Sequence, residues 1–285
     1  TWSFIPPEHA RAFGPGEPIL KRNPLNAELS AMRPSLLPNL AAAAARNLAR
    51  KQDDGALFEV GPRFTGDRPG EQVVALAGLR YGEAAPRHWA DKPRPVDALD
   101  AKGDALAALV VLGVKPESVR VVAEAPGWYH PHRSGSVRQG RAVLATFGEL
   151  HPRVRELFDI AVPVSVFELD LDAVPLPKAR AGKARPMLEP LPYPPVDRDF
   201  AFVVADTVHA GDLIDAVRGA DRRLIREIRL FDVYAGTGIP QGHKSLAVAV
   251  RLQAPDRTLA EAEIDAVAQR IVTAATKATG AVLRQ

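Results

Sequence analysis

Three groups of residues have types and spacings that could do chemistry. The first surrounds a predicted hairpin late in the chain. Asp232 and Tyr234 lie in LFDVYAG (230–236), and Lys244 and Ser245 lie in HKSLAVAV (243–250). A tyrosine, an aspartate and a Lys-Ser pair thus gather around one turn. The second is a run of guanidiniums, Arg218, Arg222, Arg223, Arg226 and Arg229, of which Arg222, Arg223 and Arg226 are the candidate phosphate contacts. Asp221 and Glu227 partly offset this run, and charge runs are usually solvated faces. The third is His130 and His132 in HPH, with His151 in ELHP. Three imidazoles could hold zinc, but no carboxylate sits at ligand spacing and cysteine is absent, so no metal site is expected. The plainer reading makes HPHRSG (130–135) a turn and places His151 at a strand end before Pro152. No GxSxG, P-loop or HExxH segment occurs, and no catalytic residue is assigned.

The elements that must position these residues fall into two sets. Downstream, RDFAFVVAD (198–206) reads as a strand and HAGDLIDAVRGA (209–220) as a helix with Leu213, Ile214 and Val217 on its apolar side. LIREIRLFDVYAG and KSLAVAVRLQAP are strands flanking the turn TGIPQGH (237–243). Thr258, with Glu261 three residues on, has the spacing of a capping box and predicts the start of a long helix. That helix ends at Gly280 before a last strand, AVLR. The order βαββαβ is the split βαβ, ferredoxin-like arrangement. Upstream, PSLLPNLAAAAARNLARK (34–51) predicts a helix with Ser35 as N-cap, and Asp97 to Leu112 a second, ended by Gly113. Five strands are predicted there: 56–64, 73–81, 118–124, 141–150 and 164–172. Helices leading into antiparallel strands argue for α+β rather than a doubly wound parallel sheet. Between the sets, PLPKARAGKARPMLEPLPYPP (175–195) lacks periodicity and reads as a Pro-rich linker. The expected domains are therefore 1–174 and 196–285.

Composition sets outer limits. The 285 residues are 46% hydrophobic, enough for one large core or two ordinary ones. No apolar run approaches the roughly 20 residues that span a bilayer, so no membrane contact is expected. The start, TWSFIPPEHARAF, is no signal peptide, and the missing initiator Met suggests an excised fragment. Zero cysteines rule out disulfides and thiolate zinc and fit a cytoplasmic protein. Net charge is only +3 despite a pI near 9.2. From Pro194 onward acidic and basic residues balance. Bulk charge therefore gives no support for nucleic-acid binding, and the case rests on specific residues.

Those residues resemble a known family. RDFAFVV (198–204), LFDVYAG, the polar turn and KSLA are similar to the ferredoxin-fold anticodon-binding domain that ends the bacterial phenylalanyl-tRNA synthetase β subunit. The resemblance covers all of 196–285. It implies that the sheet receives a tRNA anticodon, with Tyr234 stacking on a base, Asp232 and Ser245 hydrogen-bonding base edges, and Ala201 leaving room for a base. Stacking on an aromatic is worth about 1–3 kcal/mol per base. From spacing alone, Tyr234 packing at the end of its strand remains equally open.

Upstream, NPLNAELSAMRPSLLPNL (23–40), FEVGPRF, HWADKPRPVDALDAKGDALAAL and FGELHPRV occur in the same family's order. The implied fold class is α+β, a class II synthetase-like antiparallel-sheet domain followed by the ferredoxin-like domain. The upstream domain is implied to be a non-catalytic relative of the class II core that packs against a catalytic α subunit. Glu59 and Arg63 are similar to the Arg/Glu pair of class II motif 2, but no GxGxxR-type segment is present to close an adenylate site. The resemblance further implies an (αβ)2 heterotetramer that uses ATP and Mg on α to join phenylalanine to its tRNA. No cofactor is expected on this fragment. The helix 34–51, apolar on more than one side, is the expected interface with α. Two rival readings are a stand-alone enzyme with a site around His130, His132, Arg133 and His151, and a regulatory module that binds an amino acid. The first needs a deep pocket where those groups converge. The second needs a ligand cleft between domains.

Overall fold

The computed structural model describes residues 1–284 except 25, 87, 91 and 176–190. Most of the predicted linker therefore lies outside the described residues. The chain divides into two compact units, Thr1–Arg180 and Ala181–Gln285.

In the first unit, β1 (Phe4–Ile5), α1 (Pro7–Ala12) and β2 (Ala31–Met32) precede α2 (Leu37–Ala49). Then come β3 (Gly55–Phe64), β4 (Gln72–Tyr81), α3 (Ala98–Val111), β5 (Arg120–Val122), β6 (Tyr129–Gln139), β7 (Ala142–Leu150), α4 (Pro152–Leu157) and β8 (Val164–Asp170). Strands β3 to β8 form one antiparallel sheet in the order β3-β4-β8-β7-β6-β5. Alternation along the strands sends side chains to both faces. Ala75, Ala77 and Leu79 of β4 and Val164 and Val166 of β8 meet Leu37, Leu40, Ala41 and Ala44 of α2. On the other face, Phe167 and Leu169 of β8 and Phe147 of β7 meet Ala101, Ala105 and Leu109 of α3.

Four expectations need correction here. Strands β1, β2 and β6 add to the five predicted, and HPHRSG is no turn. Its residues run extended within β6, where the register against β7 slips between Tyr129 and Ser134. Leu36, not Ser35, is the N-cap of α2. The Ser35 hydroxyl still accepts a bond from Leu37 N at 3.0 Å and donates to Glu168 Oε1 at 2.9 Å. Finally, the apolar faces of α2 are covered by the chain's own sheet and by Phe13, Val154 and Phe158. Uncovered apolar side chains lie elsewhere, among them Phe58 and Val60 on the edge strand β3, 75% and 56% exposed.

The second unit is β9 (Val196–Ala205), α5 (Ala210–Ala220), β10 (Ile225–Tyr234), β11 (His243–Leu252), α6 (Glu261–Thr279) and β12 (Val282–Leu283). Its antiparallel sheet has the order β10-β11-β9-β12, the ferredoxin-like topology. Large and small residues alternate in AFVV and LAVAVRL. Phe200, Phe202, Val204, Leu246, Val248, Val250 and Leu252 therefore all point to one face, where α5 and α6 cover them. Ala201, Ala247 and Ala249 point to the other. Helix α6 begins two residues beyond the predicted Thr258. Its N-cap is Ala260, whose N–H donates to Glu263 Oε2 at 3.2 Å. Gly280 closes the helix at φ 68°, a left-handed conformation open to glycine at little cost.

Candidate nucleic-acid interface

The sheet of the second unit carries both helices on one face, which leaves its other face as a shallow platform. Cross-strand partners share a face. Tyr234 pairs with Ser245 and Ser245 with Val203, which pairs with Val282 of β12. One step along, Asp232 pairs with Ala247 and Ala247 with Ala201. The structure thus brings Ala201, Asp232, Tyr234 and Ser245 into two adjacent rows of the open face. Lys244, the neighbour of Ser245, must point the other way, and its Nζ donates to Asp206 O at 2.8 Å.

A β-bulge puts the tyrosine there. Arg229 faces the platform opposite Ala249, and strict alternation would next send Phe231 and Val233 to it. The register shifts between Leu230 and Asp232, so Phe231 is an extra residue and Asp232 and Tyr234 take the open face instead. Tyr234 is 38% exposed, and its hydroxyl donates to Thr237 O at 3.2 Å. Gly236 lies directly against the phenol: a Cβ there would sit 2.7 Å from the Tyr234 oxygen. The loop therefore holds the ring by its hydroxyl end. Asp232 is exposed, whereas Ser245 is buried between Tyr234 and Val203.

The arginines predicted to touch phosphate lie elsewhere. Arg222 and Arg223 occupy the turn after α5, and Arg226 sits in β10 with its Nε on Gln253 O at 3.1 Å. Eight residues separate Arg226 from Tyr234, about 25 Å of strand at roughly 3.3 Å per residue. Arg251, on the open face, is already paired with Asp197 at 2.8 and 2.9 Å. Its guanidinium holds the Asp197 carboxyl below the usual range. The group that sequence reasoning missed is Arg284. Its N–H donates to Ala201 O at 2.8 Å, and its guanidinium carbon lies 5.9 Å from the Tyr234 ring centroid. Its basic character next to the last strand was the only signal.

In the first unit the motif-2-like pair is engaged within the chain. Arg33, 2% exposed, donates from Nη1 to Glu59 Oε1 at 2.7 Å and from Nε to Pro62 O at 2.9 Å. Burial alone would raise the Glu59 carboxyl, but hydrogen bonds from Thr1 and Arg33 bring it below its ordinary value. Arg63 pairs with Asp170 at 3.0 Å. Glu168, on the same face, accepts from Leu36 N at 2.8 Å at the mouth of α2; burial nevertheless pushes its carboxyl up. His130 and His132 stand with ring centroids 6.2 Å apart, and Arg133 pairs with Glu149. His151 spends its Nδ1 accepting from Arg153 N, as the N-cap of α4. Among the described residues no group of three or more such side chains could hold a metal. The clefts described, of 260 to 460 Å³, are not lined by His130, His132, Arg133 or His151.

Two family models account for nearly all of this chain. The phenylalanyl tRNA synthetase beta chain CLM domain matches residues 1–171. The chain belongs to that family. The ferredoxin-fold anticodon binding domain matches residues 192–284, the unit that carries the platform. Curated relatives include proteins named phenylalanine–tRNA ligase beta subunit from Rhodospirillum rubrum, 53% identical, and Paramagnetospirillum magneticum, 48% identical. Each alignment covers 100% of this chain and 36% of the relative, so the chain spans about a third of their length. A solved pyrrolysyl tRNA synthetase of Desulfitobacterium hafniense is similar at 19% identity and a TM-score of 0.45, over 61% of this chain and 59% of that one. No described helix is long and apolar enough to cross a membrane.

Proposed function

We propose that this chain is the part of a phenylalanine–tRNA ligase β subunit that receives the tRNA anticodon and supports a catalytic α subunit. Residues 196–285 are the anticodon-binding domain, and residues 1–174 are the class II synthetase-like, non-catalytic domain. The observation that carries the reading is the convergence of Tyr234, Asp232, Ser245 and Ala201 on the single uncovered face of the second sheet. An unpaired base has a π-face for the ring of Tyr234, and the alanine floor leaves it room. The exposed Asp232 carboxylate accepts hydrogen bonds from base N–H donors. Ser245, nearly covered, reaches only a base edge that lies flat on the sheet.

Chemistry resides on the partner. ATP and Mg belong to the α subunit of an (αβ)2 enzyme in the cytoplasm. The residues of this chain do not fit them, because Arg33, Glu59, Arg63 and Asp170 are tied to one another where a nucleotide would need free groups. Exposed Phe58 and Val60 on β3 offer the partner an apolar contact.

The test is binding of an anticodon stem-loop of phenylalanine tRNA to the assembled synthetase. The expected result is binding that weakens when single anticodon bases are made abasic, with phenylalanine-dependent ATP–pyrophosphate exchange unchanged. Equal binding of intact and abasic loops sinks the reading.

A further inference from the structure

The platform has a cation at its far edge that no sequence motif marks. Backbone pairing continues from Val282 opposite Val203 and Leu283 opposite Phe202 to the bond from Arg284 N to Ala201 O. Arg284 therefore extends the row Asp232–Ala247–Ala201 onto the fourth strand and shares the open face. Three strand spacings, about 14 Å in all, separate the outer backbones. Even so, the guanidinium carbon comes within 5.9 Å of the Tyr234 ring. The side chain must thus lie back across the small side chains in the middle of the sheet. It is exposed, and among the described residues its guanidinium has no carboxylate partner. An exposed guanidinium over an aromatic ring, above a floor of small side chains, suits a nucleotide whose base stacks at that ring.

We propose that Arg284 binds the backbone phosphate of the nucleotide that stacks on Tyr234. The inference rests on the anticodon reading above and adds to it the group that neutralises the bound strand. Arg222, Arg223 and Arg226, at the other end of β10, reach only phosphates several nucleotides away. A phosphate contact leaves a signature that stacking does not: each neutralised phosphate of a single strand contributes about 0.7 to the slope of log K against log salt.

The experiment measures binding of phenylalanine tRNA to the assembled synthetase between about 50 and 200 mM KCl. It compares the wild type with Arg284→Gln, Arg284→Lys and Tyr234→Ala. Arg284→Gln is expected to weaken binding several-fold at low salt and to reduce the slope by about 0.7. Arg284→Lys should keep the slope, because an ammonium also neutralises a phosphate. Tyr234→Ala should weaken binding with the slope intact. If Tyr234→Ala weakens binding while Arg284→Gln changes nothing, the platform stands and the role of Arg284 falls. Weaker binding of Arg284→Gln with an unchanged slope also overturns it, since the residue would then act only by steadying the ring. If neither variant changes binding, the anticodon reading itself fails. Because the Arg284 side chain is exposed, melting of the two Arg284 variants should match the wild type.

Discussion

Replacing Tyr234 by alanine separates recognition from packing. The ring is 38% exposed, and its hydroxyl bond to Thr237 O is open to solvent. The ring is therefore only partly buried, and at about 25 cal/mol/Å² its loss costs the unit about 1–2 kcal/mol. An exposed hydrogen bond adds less than about 1 kcal/mol. If a base stacks on the ring, the same truncation removes about 1–3 kcal/mol of tRNA binding, or about 5- to 150-fold in Kd. Tyr234→Phe keeps the ring and gives up only the bond to Thr237, so tRNA binding should change less than about fivefold. The assay is aminoacylation by the assembled enzyme against tRNA concentration, with ATP–pyrophosphate exchange as the control and thermal melting of each variant alongside. Adenylate formation on the partner should be untouched. A folded Tyr234→Ala enzyme with an unchanged KM for tRNA refutes the stacking role and leaves the ring as a packing residue.

Four further outcomes follow from the same contacts. Gly236→Ala should displace the phenol, because the added Cβ meets the Tyr234 oxygen at 2.7 Å. Its tRNA KM should rise while melting barely moves. Glu59→Ala leaves the 2%-exposed Arg33 without its carboxylate. Urea unfolding should register a loss of about 3 kcal/mol, the low end for an orphaned buried charge, because the bond to Pro62 O survives. The Glu59 carboxyl is held low in the fold, so its contribution is complete above the ordinary value of 4.5 and disappears as pH falls through the folded value. Chemical denaturation at pH 7 and pH 3 should show the wild-type advantage over Glu59→Ala shrinking at the lower pH. Glu168 has the opposite sign: its carboxyl is raised by burial, so its contribution is complete below 4.5 and is lost as pH rises through the folded value. Glu168→Gln keeps an oxygen for Ser35 and Leu36, and it should gain stability over wild type at pH 8 but not at pH 4. Phe58→Asp, on a side chain 75% exposed, should lower co-purification with the α subunit without lowering the melting temperature of this chain.

Much of the second unit was legible from local rules. The alternation of large and small residues in AFVV and LAVAVRL fixes which side of each strand meets the helices. It thereby marks Ala201 and Ala247 as the floor of an open face before any strand order is known. Gly280 announces the end of α6 through the left-handed conformation it adopts. Helix starts were less secure. Ser35 and Thr258 are good capping residues, yet at α2 the N-cap is Leu36, with Glu168 reaching in from β8 to the Leu36 N–H and the Ser35 hydroxyl taking that of Leu37. At α6 Glu263 bonds back to Ala260 instead. The strand β6 was invisible because HPH lacks alternation and looks like a turn. Only pairing with β7 on one side and β5 on the other makes it extended.

The sequence determined by itself that Asp232 and Tyr234 share a face, since residues two apart in a strand always do. It could not say which face. Counting outward from Arg229 places both on the helix side, whereas the structure puts Val233 there, opposite Leu246. Pairing with β11 inserts one unmatched residue at Phe231 and turns the end of β10 over. The physical reason is that register belongs to two strands at once. Leu246 must reach the core opposite Val233 while Ala247 lies opposite Asp232, and the bulge is how the shorter count on β11 is met. The same holds for Arg284, which stands beside Tyr234 only because β12 pairs with the far side of β9. Fifty residues of chain separate the two side chains, and the strand order of the sheet brings them together.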